Sequence, residues 1–258
     1  MISRLLIFLT LMATLAGHPL VLAAAEAEKP QYYELRIYTT QSEDQQKRIN
    51  DYWQNAAVPA YHRAGIQPVG VFTELSDSAT NKIYVLLPFD SLEIFAALPG
   101  RLNADITYQQ AAKDFLNAPK TNAAYEHYES SLLVAFDGMK HLVVPPPEPR
   151  PNIFELRTYF SPSENKSLNK VQMFEHGEIP LMKEVGLAPI FYSRTLIGPR
   201  QPSIVYLTCG ENLEEHKKHW RGFNDAPVWK QLLKDPQYKD NMNGLRSVLL
   251  KRTSASQL

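Results

Sequence analysis

The sequence predicts an α+β chain made of two copies of one βαββαβ unit. Three observations lead there: a repeat at fixed offset, the same order of strand and helix signals in each copy, and a proline run between the copies. Displacing the chain on itself by 121 residues pairs 34–93 with 155–214 and gives 14 identities in 60 positions, where average composition gives about four. Glu34/Glu155, Leu35/Leu156, Arg36/Arg157, Tyr38/Tyr159, Pro59/Pro180 and Gly65/Gly186 are among them. Further on the offset becomes 117, pairing Ser130 with Ser247 and Leu132 with Leu249. The run Pro145-Pro146-Pro147-Glu148-Pro149-Arg150-Pro151 separates the copies. It favours polyproline II and continues neither a helix nor a central strand, so it reads as a semi-rigid linker.

Each element has its own signal. Tyr32 to Tyr38 alternates strictly between apolar and polar residues, which predicts a strand, and Ile153 to Tyr159 repeats it. Ser42 and Ser163, each followed by Glu, open a helix that Gly65 or Gly186 closes, with Pro59 or Pro180 inside it as an expected kink. Two strand-like runs follow in each copy, Val69 to Leu75 with Lys82 to Leu87, and Ile190 to Leu196 with Ser203 to Cys209. A second helical region is expected over Ser91 to about Asn117, and over Asn212 to about Lys234. The last strands are Ser131 to Phe136 and Arg246 to Lys251. This order is the ferredoxin-like unit, in which helices cover one face of a four-stranded sheet; two uncovered faces in one chain can bury each other.

The 258 residues divide into a removable segment at 1–25, a first domain at 31–143, a linker at 144–151 and a second domain at 152–252. Arg4, the apolar run Leu5 to Gly17, and Ala23-Ala24-Ala25 have the form of a secretory signal peptide, so the chain is expected to be exported, to the periplasm or beyond. The apolar run is shorter than the roughly 20 residues a membrane span needs, so no stable insertion is expected after cleavage. Equal numbers of basic and acidic residues, 27 each, give no footprint for nucleic acid. One cysteine, Cys209, excludes a disulfide framework and is expected to be a buried, inert thiol. Phosphate-binding glycine loops, nucleophile elbows and zinc-protease motifs are absent, and no cofactor or metal is expected.

The repeated Glu-Leu-Arg-x-Tyr strand, the proline-bearing helix ending in Gly, and Leu213 to Trp229 with Trp220, Phe223 and Asp225 ahead of Lys230-Gln231-Leu232-Leu233 resemble the NIPSNAP family. The first copy lacks the tryptophan-rich stretch and has Ala97-Leu98-Pro99-Gly100 instead. The resemblance covers residues 32–252 as two tandem copies and implies an intramolecular dimeric α/β-barrel. It implies little about chemistry, since related barrels include cofactor-free monooxygenases and haem-binding enzymes and the fold does not decide between them.

Alternation places Leu35 and Ile37 on one strand face and Glu34, Arg36 and Tyr38 on the other. With the apolar pair on the helices, the polar triad and its copy Glu155, Arg157 and Tyr159 are expected to point between the two sheets. Two readings of this set stand. It lines a pocket in which an arginine holds an anionic or carbonyl group and a tyrosine supplies a hydroxyl, or it forms salt bridges that tie the halves together. His176, one turn before Pro180, is a further ligand-binding candidate and a general base if it faces the cleft. His216 and His219 with Glu215 have metal-ligand spacing, but Lys217 and Lys218 mark a solvated surface. The expected function is binding of a small, partly apolar ligand in or beside the inter-sheet cleft. The alternatives are a protein-interaction module with a filled barrel, presenting Trp53, Trp220 and Trp229 to a partner, and a cofactor-free oxygenase- or isomerase-like enzyme. Oligomeric state is left open, since edge strands could pair between chains.

Overall fold

The computed structural model describes residues 28–76 and 81–258. The segment 1–25, which carries the export expectation, lies outside the described residues. Among those described, no helix is long and apolar enough to cross a membrane.

The first unit runs β1 (Tyr32–Thr39), α1 (Glu43–Tyr52), α2 (Val58–Arg63), β2 (Gly70–Glu74), β3 (Lys82–Phe89), α3 (Leu92–Ala104), α4 (Ile106–Ala111), α5 (Lys113–Leu116) and β4 (His127–Ala135). The second runs β5 (Ile153–Phe160), α6 (Glu164–Met173), α7 (Ile179–Glu184), β6 (Ala188–Ile197), β7 (Ser203–Gly210), α8 (Leu213–Asp225), α9 (Pro227–Leu232) and β8 (Gly244–Arg252). Ser42 and Ser163 cap α1 and α6 as the sequence predicts, accepting from the N–H groups of Gln45 and Lys166. Gly65 and Gly186 close α2 and α7 at φ of +81° and +86°, a conformation that favours glycine.

The expected proline kink takes a particular form. A π-helical turn, Trp53–Ala57 in one unit and Phe174–Glu178 in the other, precedes Pro59 and Pro180. Proline has no N–H for the carbonyl four residues back and its ring crowds that carbonyl; one turn of wider pairing takes up the mismatch. The second helical regions are each divided into shorter helices. Asp105 takes extended backbone and caps α4 by accepting from Tyr108 N–H. Ala226, ahead of Pro227, is also extended, as the residue before proline prefers.

The two antiparallel sheets, β4-β1-β3-β2 and β8-β5-β7-β6, join through β2 with β8 and β4 with β6 into one closed eight-stranded barrel. Closure leaves none of these eight strands with a free edge, which corrects the expectation that edges could pair between chains. Residues 253–258 then run back along the first unit: Thr253 N–H donates to the Val71 carbonyl, Gln257 N–H to the Val69 carbonyl, and Leu258 is buried in the barrel cluster.

The inside of the barrel is apolar and filled. Leu35, Phe72, Tyr84, Leu86, Leu156, Phe191, Leu207 and Leu250 surround a residual void of only about 10 Å³. The expected orientation is therefore reversed. Leu35 and Leu156 point into the barrel, whereas Tyr38 and Tyr159 pack with the helices. Glu34, Arg36, Glu155 and Arg157 share the helix-facing side. A closed barrel offers buried charges no water, while at the helix layer the guanidinium tips keep partial exposure, 18% for each arginine side chain.

Candidate functional site

Both units build a polar centre between sheet and helices, and they finish it differently. In the first, Arg36 makes a two-pronged pair with Glu34, Nε to Oε1 at 2.6 Å and Nη2 to Oε2 at 3.0 Å. Ser130 on β4 donates to Glu34 as well. The remaining surroundings of Arg36 are rings, with Trp53 and Tyr128 centred 6.0 and 5.8 Å from it. The salt-bridge reading suffices for this centre.

In the second unit the carboxylate has more donors. Glu155 accepts from Arg157 Nε at 2.7 Å and Ser247 Oγ at 2.5 Å on one oxygen, and from His216 Nε2 at 2.7 Å and Trp220 Nε1 at 2.5 Å on the other. Because His216 and Trp220 take that second oxygen, Arg157 cannot pair with both. It turns Nη1 to the Tyr159 hydroxyl at 3.2 Å. The guanidinium stacks 3.6 Å from the Trp220 ring centre. Burial raises the Glu155 pKa, but the His216 bond, the Arg157 charge and the Ser247 bond outweigh it and hold the carboxyl at about 2. Burial opposes the charge on Arg157; Tyr206, Tyr159 and Glu155 more than offset this and raise its pKa.

Deeper in the same layer lies a second ion pair. Lys170 Nζ meets Glu178 Oε1 at 2.5 Å, with side-chain exposures of 4% and 2%. The rings of Phe174, Tyr159 and Trp229 stand 5.1, 5.4 and 5.6 Å from the ammonium. Burial raises the Glu178 pKa, and Lys170 only partly counters this. At the equivalent positions the first unit has Ile49 and Ala57, both fully buried. The layer can thus be built without charge, and the pair is not a requirement of the fold.

The proline linker forms one wall of a groove of about 400 Å³ at the end of the barrel. Pro145, Pro146, Pro149 and Pro151 face Ala188, Cys209 and Gly210 across it, with Glu211, Glu215 and His219 at the helix side. Cys209 is the buried thiol that the sequence predicts, its pKa pushed up to about 11 by burial. Nδ1 of His219 and Nδ1 of His216 are both buried and without a hydrogen-bond partner. A larger groove, about 670 Å³, lies on the first unit, lined by Arg48, Asp51, Lys113 and Asp114 together with Tyr52 and Phe115.

Of the candidate residues, Glu155, Arg157 and Tyr159 come together in one centre and Glu34 and Arg36 in another, with Tyr38 in the first unit's helix-facing core. Neither centre opens into the barrel. His176 joins neither: it is exposed, and its Nδ1 lies 2.9 Å from the Gln172 carbonyl. The condition for a role as base, that it face the cleft between the sheets, is not met by this exposed position on the helix layer. Trp53 is wholly buried, and Trp220 and Trp229 are partly buried against the helix core, so none is a free aromatic anchor for a partner. The residue that sequence reasoning missed is His216, read as surface because of Lys217 and Lys218 yet only 2% exposed. The signal was its spacing to Trp220 and Phe223, at i+4 and i+7 on one helix face. Among the described residues no cluster of His, Cys, Asp or Glu could hold a metal ion, and His216 is spent on Glu155.

Comparison with known proteins agrees with this architecture. A candidate monooxygenase from Lactobacillus acidophilus NCFM superposes with a TM-score of 0.55 at 9% identity, covering 87% of this chain and 94% of its own. An anthrone oxidase-like protein gives 0.52 at 12% identity, covering 89% and 94%. At such identities the likeness is one of fold. An uncharacterised NIPSNAP-like domain protein from Burkholderia xenovorans matches at 25% identity over 41% of this chain and 89% of its own, with a TM-score of 0.37. No curated protein matches the sequence. The NIPSNAP family model matches residues 33–135 and again 154–257. The chain is a member of the NIPSNAP family that carries two tandem copies and closes them on each other as an intramolecular dimeric α/β-barrel.

Proposed function

We propose that the protein binds a small, partly apolar molecule beside the barrel, in the groove between the proline linker and the second unit. The observation that carries this reading is the contrast between a filled barrel, with about 10 Å³ left inside, and a groove of about 400 Å³ bordered by prolines and by His219, whose Nδ1 is buried without a partner. That volume lies within the range of small-molecule sites, which are mostly apolar with a few placed polar groups. Orphaned buried polar atoms are uncommon in native proteins and ask for a partner. The inter-sheet space offers no such room, so the ligand reading rests on the groove alone.

The test is retention. Purified protein is equilibrated with a metabolite pool, washed, and the bound compounds are identified by mass spectrometry. Ala188 lies exposed on the groove wall, so Ala188→Trp fills the groove without disturbing the core. Retention by the natural chain and its loss in the variant support the reading; equal retention by both contradicts it. The filled barrel also favours a second reading, a protein-interaction module, for which no compound is retained by either form. An oxygenase reaction is the finer version of the ligand reading, suggested by the names of two structural neighbours and tested by oxygen consumption with a retained compound. Export is a separate proposal, tested by N-terminal sequencing of the mature protein and expected to show cleavage near Ala25.

A further inference from the structure

We infer that the linker groove selects an organic ammonium ion on an apolar frame, with the prolines receiving the frame and Glu211 the charge. The inference rests on the ligand reading above and names the ligand class of that groove. Pro145, Pro146 and Pro149 form one wall, and Gly186, Ala188 and Gly210 add no bulky side chain opposite them. Proline rings pack well on flat apolar groups, the contact by which polyproline segments are held in aromatic-lined grooves. Here the prolines belong to the protein and the ligand supplies the flat group.

The charge of the lining decides what else the ligand carries. On the helix side stand two carboxylates, Glu211 and Glu215, and the residues lining the groove include no lysine or arginine. Lys218 lies 3.1 Å from Glu215, whereas Glu211 is exposed and joins none of the ion pairs among the described residues. The N-terminal end of α8, taken alone, favours an anion. That end is already supplied, since Asn212 accepts from Glu215 N–H and Glu214 and Glu215 occupy the first turn. An anionic ligand would therefore meet like charge at the rim, and an ammonium is the complement.

The first unit shows that the fold does not need this arrangement. At the offset of 121 residues, Gly210, Glu211 and Glu215 correspond to Phe89, Asp90 and Ile94. Phe89 is buried edge-on to Phe95, Ile94 packs against the first unit's core, and Asp90 accepts from Gln31 Nε2 at 2.8 Å. There the corner is filled by apolar side chains and its carboxylate has a partner within the chain. At the matching place the second unit keeps an open groove and a carboxylate outside every ion pair, and packing requires neither.

The probes are 2-phenylethylamine, 2-phenylethanol and phenylacetate, which share a ring and differ in charge. Each is titrated into the full chain at neutral pH and low salt, with the amide NMR signals of Gly186, Ala188 and Gly210 reporting affinity and place together. The amine is expected to bind more tightly than the alcohol by up to about fivefold, the range an exposed ion pair supplies, and phenylacetate more weakly than either. Glu211→Gln is expected to bring the amine-to-alcohol ratio close to one. An alcohol that binds as tightly as the amine, a phenylacetate that binds best, or an amine advantage that survives Glu211→Gln each overturns the inference and leaves the ligand reading standing. Groove signals unmoved by all three probes overturn the inference and count against the ligand reading as well. Compounds retained from the metabolite pool and lost in Ala188→Trp are expected to be amines; carboxylic acids in their place overturn the inference alone.

Discussion

Where the second unit sets His216 over Gly210, the first packs Phe95 on Phe89, and where the second buries Lys170 against Glu178, the first has Ile49 and Ala57. The frame around these positions is shared. Both units have the Glu/Arg/Ser centre on the same strands, the same π turn before a proline, the same glycine closing a helix, and a 13-residue helix following β3 or β7. One copy therefore shows what the fold requires. What the other adds, His216, Trp220, Lys170 and Glu178, is costly buried polarity that packing does not explain.

This comparison can be broken at several points. The largest effect is expected at the buried pair. Glu178→Ala strands the Lys170 ammonium among aromatic rings and should lower the unfolding free energy by about 3–5 kcal/mol. Lys170→Ile combined with Glu178→Ala gives the second unit the first unit's residues, and urea denaturation should find it close to the natural chain or more stable. A double variant as unstable as the single one would show that the pair belongs to the fold after all.

The next effect is in acid. The folded pKa of Glu155 is held at about 2, below its ordinary 4.5, so its contribution is fully present above 4.5 and is lost as pH falls toward 2. That amounts to about 3 kcal/mol. Glu178, whose pKa burial raises, acts in the opposite sense, so its share of stability falls as pH rises through its folded pKa. The difference in unfolding free energy between the natural chain and Glu155→Gln, followed from pH 5 to 2, isolates the first effect and should narrow as the solution becomes more acidic.

Smaller effects sharpen the comparison at matched glycines. Gly65→Ala and Gly186→Ala both force a side chain into left-handed backbone, at about 1–2 kcal/mol each. The second should cost more, because its Cβ falls 3.0 Å from His219 Nε2 whereas nothing lies within 4 Å of the first. Thermal melts of the two variants side by side read the difference. Trp220→Phe removes one of four donors from Glu155 while keeping a ring over Arg157, and should cost only about 1 kcal/mol.

Much of the fold was legible in the sequence because it depends on local signals: serine caps, helix-closing glycines, strict alternation and an offset of 121 residues. The orientation of the strands was not. Alternation in Tyr33-Glu34-Leu35-Arg36-Ile37-Tyr38 separates two faces without saying which is inward, and in a closed barrel both are covered, one by helices and one by the other strands. Glu34 and Arg36 were therefore assigned to the wrong layer, although their mutual pairing was foreseen as one reading. His216 was hidden by neighbours: Lys217 and Lys218 are solvated, but one residue in a helix turns the side chain by about 100°. The groove could not be read at all, since it forms only where the linker folds across the ends of β6 and β7.

The central claim is that the second unit alone carries the site, and filling each groove in turn tests it most directly. Ala188→Trp closes the groove under the linker, and Ala111→Trp closes the larger groove of the first unit. Measured by mass spectrometry of retained compounds, the account predicts that the first variant loses bound ligand and the second keeps it. Loss in Ala111→Trp with retention in Ala188→Trp would place the site in the first unit and contradict the account.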